Sequence, residues 1–381
     1  MPWTECSQMS SRLEFVRMAS SPGANISSLC NRFGISRKTG YKWIERYAKD
    51  GVEGLGDRSR RPSNSPSRSD EEVESAVIAA YLAYPYWGGY KLKALLQNNL
   101  LDWPDIHPTT IDAILARNGC ELAPSRKPGK LATGRFEHEA PNLLWQMDFK
   151  GHFALTDARA NRCHPLTVLD DHSRFNIALT ACSTESGEQV QSALTAAFRM
   201  YGLPQRITCD NGPPWGSAGN KTVSALGAWM IRLGIRLGHS TPYHPQTQGK
   251  DERFHRTLKL ELLERTGFNS IKHCQEGFDR WREQYNCIRP HHALGQLPPA
   301  SRYQPSGRQF PEILPRIEYD AQDEVRTVRN TGRIKYDGVE HFIGEGLKGQ
   351  TVAVRPTATD GVVEVFYCQQ KVRKLDLRKI A

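Results

Sequence analysis

The spacing of apolar and polar residues divides the chain into three regions. Residues 12–50 and 70–122 repeat apolar residues every three to four positions, as amphipathic helices do. Residues 142–287 alternate short β-prone runs with longer helical stretches. Residues 322–381 alternate residue by residue between turns such as Asp337-Gly338 and Asp360-Gly361, a strong hairpin signal. We therefore expect a multidomain protein with an all-α N-terminal arm, an α/β core and a small all-β C-terminal barrel.

The N-terminal arm has the pattern of a helix-turn-helix unit. A short amphipathic helix ends at Gly34, and Ser36 can cap a second helix that turns Trp43 inward. That second helix would lie in the DNA major groove with four side chains directed outward: Arg37, Lys38, Tyr41 and Lys42. A small helical bundle with a solvated basic face is the alternative. Clustered charge favours DNA binding, and Trp43 is expected in the core.

A polar segment with two prolines follows at residues 57–69, and it is too polar to fold alone. Its four arginines, Arg58, Arg60, Arg61 and Arg68, could track DNA phosphate or remain merely solvated. A second helical unit comes next, in which Pro108 marks a helix start and Gly119 its end. Another linker, rich in Arg and Lys, then leads to the core.

The core pattern predicts strands near 142–154, 164–170, 174–181, 205–209 and 235–239, with helices near 186–201, 221–233, 248–266 and 272–287. Asp148 and Asp210 each lie at the end of a strand-like run. Glu252 begins a helix and shares its face with three basic residues, His255, Arg256 and Lys259. One acid beside a basic stripe is typical of metal and phosphate binding.

Three carboxylates of this kind can hold two Mg²⁺ ions, because hard cations prefer oxygen ligands. Two ions close together stabilise both oxygens of an in-line phosphoryl displacement. Lys250, Arg256 and Lys259 are then predicted to contact phosphate. Asp170 and Asp171 are an alternative source of a ligand, but their position between two strand-like runs favours a tight turn. His244 and Gln246 could touch the scissile strand or order the loop around them.

Several motifs together resemble one known family. Trp145-Gln146-Met147-Asp148-Phe149, Cys209-Asp210-Asn211-Gly212 and the run from His244 to Arg253 resemble the Asp-Asp-Glu core of bacterial insertion-element transposases, in the retroviral-integrase superfamily. Arg289-Pro290-His291-His292-Ala293-Leu294 resembles the end of that core. The 41 residues between Asp210 and Glu252 exceed the spacing of many relatives, and we place the extra length in the loop at 213–220.

The resemblance implies a ribonuclease-H-like catalytic core and a DDE transposase that cleaves and joins DNA. Asp148, Asp210 and Glu252 would be both catalytic and metal-binding, with two Mg²⁺ ions that Mn²⁺ can replace. The expected partners are double-stranded DNA, as element terminal repeats and target, and further copies of the chain in at least a dimer. The expected domains are 1–56 and 70–125 (helix-turn-helix, DNA-binding), 57–69 and 126–139 (linkers), 140–305 (core) and 318–381 (β-barrel, for non-specific DNA binding or multimerisation).

Composition agrees with a polyanionic partner. The chain of 381 residues carries a net charge of +10, and residues 26–68 hold ten Lys or Arg against four Asp or Glu. Nine scattered cysteines without a Cys-x-x-Cys pair indicate a reducing compartment and disfavour a zinc site. We expect a bacterial cytoplasmic protein on the nucleoid, without a membrane span. The chain also lacks a phosphate-binding loop motif, so we expect no nucleotide cofactor.

Two rival functions remain open at this stage. A catalytically inactive, transposon-derived DNA-binding regulator would keep the helix-turn-helix arm, although it would typically have lost one of the three acids. A nuclease of the same fold would cut DNA without joining it, and the tandem DNA-binding arm argues against it.

Overall fold

The computed structural model describes residues 8–57, 68–121, 137–157, 162–210, 212–216, 223–239 and 245–380. The chain forms two compact units, residues 1–69 and residues 70–381.

The described residues of the first unit form three α-helices, α1 (Gln8–Ala19), α2 (Ile26–Arg32) and α3 (Arg37–Asp50), followed by a 3-10 turn at Gly51–Leu55. Ser36 caps α3, since its Oγ accepts a hydrogen bond of 3.2 Å from the backbone N–H of Thr39. Gly40 lets α3 approach α2, because a Cβ there would lie 2.5 Å from Cys30 Sγ. Trp43 is buried, so the prediction that it belongs to the core is confirmed.

The second unit begins with three more helices, α4 (Glu71–Ala83), α5 (Gly89–Asn99) and α6 (Pro108–Arg117). They bury a small core of their own that includes Val77, Trp87, Leu92 and Ile111. Pro108 occupies the first turn of α6, where its missing N–H costs nothing. This helical module, residues 70–121, is continuous with the rest of the second unit.

The core is a mixed sheet of six strands: β1 (Trp145–Phe149), β2 (Phe153–Ala154), β3 (Arg162–Asp170), β4 (Asn176–Cys182), β5 (Arg206–Cys209) and β6 (Arg236–His239). β3 pairs antiparallel with β1, β2 and β4, whereas β1, β5 and β6 run parallel. The single strand predicted over 142–154 is interrupted around Gly151, whose φ of +87° suits glycine.

Four helices cover the sheet: α7 (Gly187–Tyr201), α8 (Ala225–Arg232), α9 (Pro245–Leu258) and α10 (Ile271–Glu283). α9 and α10 each continue in a π-helical turn, over Lys259–Leu263 and Gln284–Ile288. Side chains of α10 and of its π-helical continuation also bond to the outer edge of β4. Asn286 pairs with the backbone of Asn176 through hydrogen bonds of 2.8 and 3.0 Å, and Gln275 does the same for Ala181 and Leu179.

The chain ends in an all-β region, as predicted. β7 (Glu324–Thr327), β10 (Thr351–Pro356), β11 (Val362–Tyr367) and β12 (Gln370–Asp376) form one antiparallel sheet. β8 (Arg333–Tyr336) and β9 (Val339–Phe342) form a separate hairpin at the predicted Asp337-Gly338 turn. This region shares a hydrophobic core with the α/β sheet. Gln370 caps the edge of β6 through hydrogen bonds of 2.9 and 3.1 Å to the backbone of Leu237.

Candidate active site

Asp148 and Asp210 come together because β1 and β5 are neighbouring parallel strands. Trp145 lies opposite Ile207 and Gln146 lies opposite Thr208. Asp148 follows Gln146 by two residues, and Asp210 comes directly after β5. Both carboxylates therefore lie at the same end of the sheet. The structure joins two acids that are 62 positions apart in sequence.

The electrostatics of Asp148 reflect this proximity. Its side chain is 31% exposed. Burial and, next, the negative charge of Asp210 raise the pKa of Asp148 from 3.8 to about 7. Two facing carboxylates repel each other, so the arrangement suits a bound cation, whose charge would offset the repulsion.

Helix α9 presents two different faces. Its buried face carries Asp251, Phe254, His255 and Leu258, with the spacing of three and four residues that marks one side of a helix. Glu252, Arg253 and Arg256 are exposed, as is Lys259 in the following turn. Sequence reasoning placed His255 on the face of Glu252, whereas the structure buries it on the inward face.

The buried carboxylate of the helix is therefore Asp251, which the sequence had not singled out. Burial raises the pKa of Asp251 well above its ordinary value, and the charges of Asp148, Asp171 and Asp210 add to the effect. A usable signal was present, because Asp251 precedes Phe254 by three residues and Leu258 by seven, on the apolar stripe. In the described part of the chain, no three Asp, Glu, His or Cys side chains are arranged to hold a metal ion. The third ligand, Glu252, stays a prediction.

His255 orders the strand that bears Asp148. Thr167 Oγ1 donates to the backbone carbonyl of Asp148 at 2.9 Å and lies 2.8 Å from His255 Nε2, which can donate to it. His255 Nδ1 lies 3.9 Å from Asp148 Oδ2. Burial, followed by the charge of Lys150, lowers the pKa of His255 from 6.5 to about 4. The imidazole is therefore neutral at pH 7.

Lys250 lies within an internal network of polar groups. Its ammonium pairs with the buried carboxylate of Asp171 and donates to the Asp171 carbonyl oxygen at 3.2 Å. Asp171 also accepts hydrogen bonds from Gln146 Nε2 at 2.8 Å and from the backbone N–H of His138 at 3.0 Å. This pair would have to open before Lys250 reached phosphate, so the phosphate contact stays a prediction.

Asp170 stabilises the turn between β3 and β4. It is fully buried and accepts hydrogen bonds from the backbone of Asn142 and from both the backbone and the hydroxyl of Ser173. The distances are 2.7, 2.8 and 2.6 Å, respectively. Such a set of donors satisfies a buried carboxylate within the turn itself. The geometry agrees with the interpretation of Asp170 as a turn residue.

The predicted DNA contacts fall into three groups. Arg37, Lys38, Tyr41 and Lys42 are all exposed along α3. Arg256 and Lys259 are exposed on α9 and its continuation, with Lys259 Nζ 3.4 Å from Glu264. Three arginines, Arg58, Arg60 and Arg61, lie outside the described residues, as do His244 and the side chain of Gln246. All these contacts remain predictions.

Comparison with known proteins identifies the family. Models of the integrase core domain match residues 138–245 and 233–299. The IS476 uncharacterized 39.2 kDa protein, from an insertion element of Xanthomonas euvesicatoria, is 34% identical over 250 residues, which cover 65% of this chain and 69% of that protein. The chain belongs to the insertion-element transposases with an integrase core. The resemblance noted from the sequence motifs is thereby confirmed.

Other parts of this transposase-family chain match further models. A helix-turn-helix domain model matches residues 11–63, and a homeodomain-like model matches residues 39–115. The model of the IS481 family transposase C-terminal domain matches residues 323–381. The predicted sequence of an all-α arm, an α/β core and an all-β end is confirmed. Among the described residues, no helix is long and apolar enough to cross a bilayer.

Two more similarities complete the comparison. The IS407 uncharacterized 31.7 kDa protein of Burkholderia multivorans is 32% identical over 161 residues, or 42% of this chain and 55% of that protein. The solved integrase catalytic core domain of HTLV-2, in complex with magnesium, aligns with 44% of this chain and 99% of its own at 18% identity. Its TM-score is 0.32, which is too low to support an argument about this chain.

Proposed function

We propose that this protein is the transposase of its insertion element, binding element-end DNA and catalysing Mg²⁺-dependent strand cleavage and strand transfer. The observation that carries the proposal is the pair of carboxylates, Asp148 and Asp210, at one end of β1 and β5 in an integrase core. We assign Glu252, at the start of α9, as the third acid on the basis of the sequence motif. The predicted domain bounds, from residues 1–56 to residues 318–381, remain part of this proposal.

The donor set fits a hard divalent cation. Carboxylate oxygens are the ligands that Mg²⁺ prefers. Burial and the neighbouring charge of Asp210 raise the pKa of Asp148, and a bound cation would offset both effects. Mg²⁺, when bound, would stabilise the negative charge that develops on phosphate during an in-line displacement. We propose two ions, which Mn²⁺ could replace.

The remaining residues of the site bind and orient. Neutral His255, fixed through Thr167, holds the β1 backbone at Asp148 and adds no positive charge to the site. Arg256 and Lys259, which are exposed, would contact DNA phosphate. On α3, the exposed basic residues would enter the major groove of element-end DNA.

The assembly and location follow from the proposed reaction. Cutting and joining two element ends together requires at least two active sites, so we propose a homo-oligomer that is at least a dimer. Its target is chromosomal DNA, which places the working protein on the bacterial nucleoid.

The decisive experiment uses labelled DNA that carries the element's own ends, with Mg²⁺ and four forms of the chain. Wild type should give both the cleaved and the joined product. Asp148→Asn and Glu252→Gln should lose both products while they retain DNA binding. Asp251→Asn is the matched control, because a buried carboxyl with a raised pKa resembles the neutral amide that replaces it. It should retain most of the activity.

Each other result selects a different conclusion. If Asp251→Asn abolishes both products and Glu252→Gln does not, the third acid is Asp251. A wild-type protein that binds the ends but neither cuts nor joins them with any divalent metal would be the inactive regulator. Cleavage without joining under the same conditions would identify a nuclease.

A further inference from the structure

A buried carboxylate connects the helical module of residues 70–121 to the catalytic helix. Glu261 lies in the π-helical turn that continues α9, and its side chain is only 5% exposed. It accepts hydrogen bonds from Arg289 Nε at 3.0 and 3.2 Å. It also accepts a hydrogen bond of 3.3 Å from Lys91 Nζ, on α5 of the helical module. Two cations thus compensate one buried charge, and one of them comes from the module.

A second contact joins the same two parts of the chain. The guanidinium of Arg265, which follows the π-helical turn, lies 3.4 Å from the centre of the Tyr86 ring. Tyr86 belongs to the loop between α4 and α5. Stacking of this kind is attractive because the aromatic face is electron-rich. The module therefore contacts the end of α9 through both an ion pair and a cation–π pair.

The charge of the module is unusual for a DNA-binding domain. Residues 70–121 contain eight Asp or Glu against three Lys or Arg, in a chain whose net charge is +10. All three cations form ion pairs within the protein: Lys91 with Glu261, Lys93 with Asp105, and Arg117 with Glu74. DNA-binding surfaces attract phosphate through clustered Lys and Arg. The module instead presents mainly negative charge.

We propose that residues 70–121 are a docking module that fixes the catalytic helix α9 through the ion pair of Lys91 with Glu261. The Lys and Arg side chains of the module form ion pairs within the protein and do not contact DNA phosphate. Lys91 is then a positioning residue, which acts on α9 through Glu261. This role differs from the DNA-binding role predicted for residues 70–125, and the salt dependence of DNA binding distinguishes the two. The docking is inferred from the Lys91–Glu261 and Arg265–Tyr86 contacts. Its consequence for catalysis rests on the proposed function of α9.

The test compares Lys91→Met with Lys93→Met in the full chain. Both variants remove one ammonium from α5, but only Lys91 reaches Glu261. Glu261 keeps Arg289 as a partner in Lys91→Met, so the variant should fold. We expect amide hydrogen exchange in the last two turns of α9 and its continuation to accelerate about tenfold in Lys91→Met, because a buried charge loses one of its partners. Lys93→Met should stay within about twofold of wild type, and Lys91→Arg should restore slow exchange.

A second measurement tests the DNA part of the proposal. The slope of log Kd for element-end DNA against log salt falls by about 0.9 for each phosphate contact that is lost. Lys91→Met and Lys93→Met should leave this slope unchanged, whereas Arg37→Met on α3 should lower it. In the strand-cleavage assay, Lys91→Met should lower kcat with little change in the Kd for DNA.

Three results would overturn the proposal. Unchanged exchange in α9 of Lys91→Met would show that the ion pair does not hold the helix. Equal acceleration in Lys93→Met would show a general loss of the module's stability. A reduced salt slope in Lys91→Met or Lys93→Met would show that the module contacts phosphate. A wild-type protein without cleavage activity would refute the proposed function and leave the exchange result intact.

Discussion

The acids of the candidate active site should destabilise the protein when no cation is present, and Asp148→Asn measures this cost. The pKa of Asp148 rises from 3.8 in the unfolded chain to about 7 in the folded one. Since one pKa unit corresponds to about 1.4 kcal/mol, the upper limit of the cost above pH 7 is about 4 kcal/mol. The side chain is 31% exposed, so solvent screens part of it, and we expect about 2 kcal/mol.

The sign of the pH dependence follows from proton binding. Between pH 3.8 and about 7, the folded state holds the Asp148 proton more tightly than the unfolded state does. The contribution of Asp148 to stability therefore becomes more unfavourable as pH rises through this window, and the full cost remains above it. Asparagine has no proton to lose. Asp148→Asn should gain stability relative to wild type, by about 1–3 kcal/mol, as pH rises from 5 to 8.

Urea unfolding in EDTA at pH 5 and pH 8 provides the measurement. Asp157→Asn, which removes one exposed acid, is the control for the loss of a negative charge. Added Mg²⁺ should stabilise wild type at pH 8 more than it stabilises Asp148→Asn, because only the former retains both carboxylates. If Asp148→Asn shows the same pH dependence as wild type, burial and the charge of Asp210 do not raise the pKa of Asp148.

Three further predictions concern the framework and the DNA contacts. Asn286→Leu should lower the free energy of unfolding, measured in urea, by about 2–5 kcal/mol, because the backbone N–H and C=O of fully buried Asn176 lose their hydrogen-bond partners. A smaller loss than that of Gln275→Leu would contradict this. Burial lowers the pKa of His291 from 6.5 to about 2, so below pH 6.5 the unfolded chain binds a proton that the folded chain does not. As pH falls from 6 to 5, the free energy of unfolding of wild type should therefore decrease by about 1 kcal/mol more than that of His291→Gln. Parallel curves of stability against pH would refute this. Arg256→Met should weaken binding of all DNA sequences and lower the salt slope by about 0.9, whereas an unchanged slope would exclude a phosphate contact.

Much of the fold could be predicted from local patterns. The helices at 186–201 and 272–287 and the strands at 164–170 and 205–209 are observed close to their predicted bounds. Hydrophobic period and capping residues determine such elements locally, as Ser36 illustrates for α3. The break between β1 and β2 was missed because the residues on both sides of Gly151 are equally β-prone.

The candidate site could be predicted only in part. Asp148 and Asp210 were identifiable from their motifs, and β1 and β5 place them together as neighbouring parallel strands. The inward direction of Asp251 and the exposure of Glu252 depend on the rotation of α9 about its axis. That rotation is fixed by the packing of Phe254 and Leu258 in the core. The apolar stripe indicates it, but only the tertiary structure brings Asp251 near the charges of Asp148 and Asp210.

The sequence by itself determined the order of the three regions, their secondary structure, the family and the acids that could carry the chemistry, because these depend on local pattern and short motifs. Only the tertiary structure decided which charges face each other. It committed Lys250 to Asp171 and Lys91 to Glu261, and it buried Asp251 beside the other acids. The two ion pairs join residues that are separated in sequence by 79 and 170 positions, so chain packing and not local sequence determines them. Opposite charges attract more strongly when buried than at the surface, because the effective dielectric constant is lower.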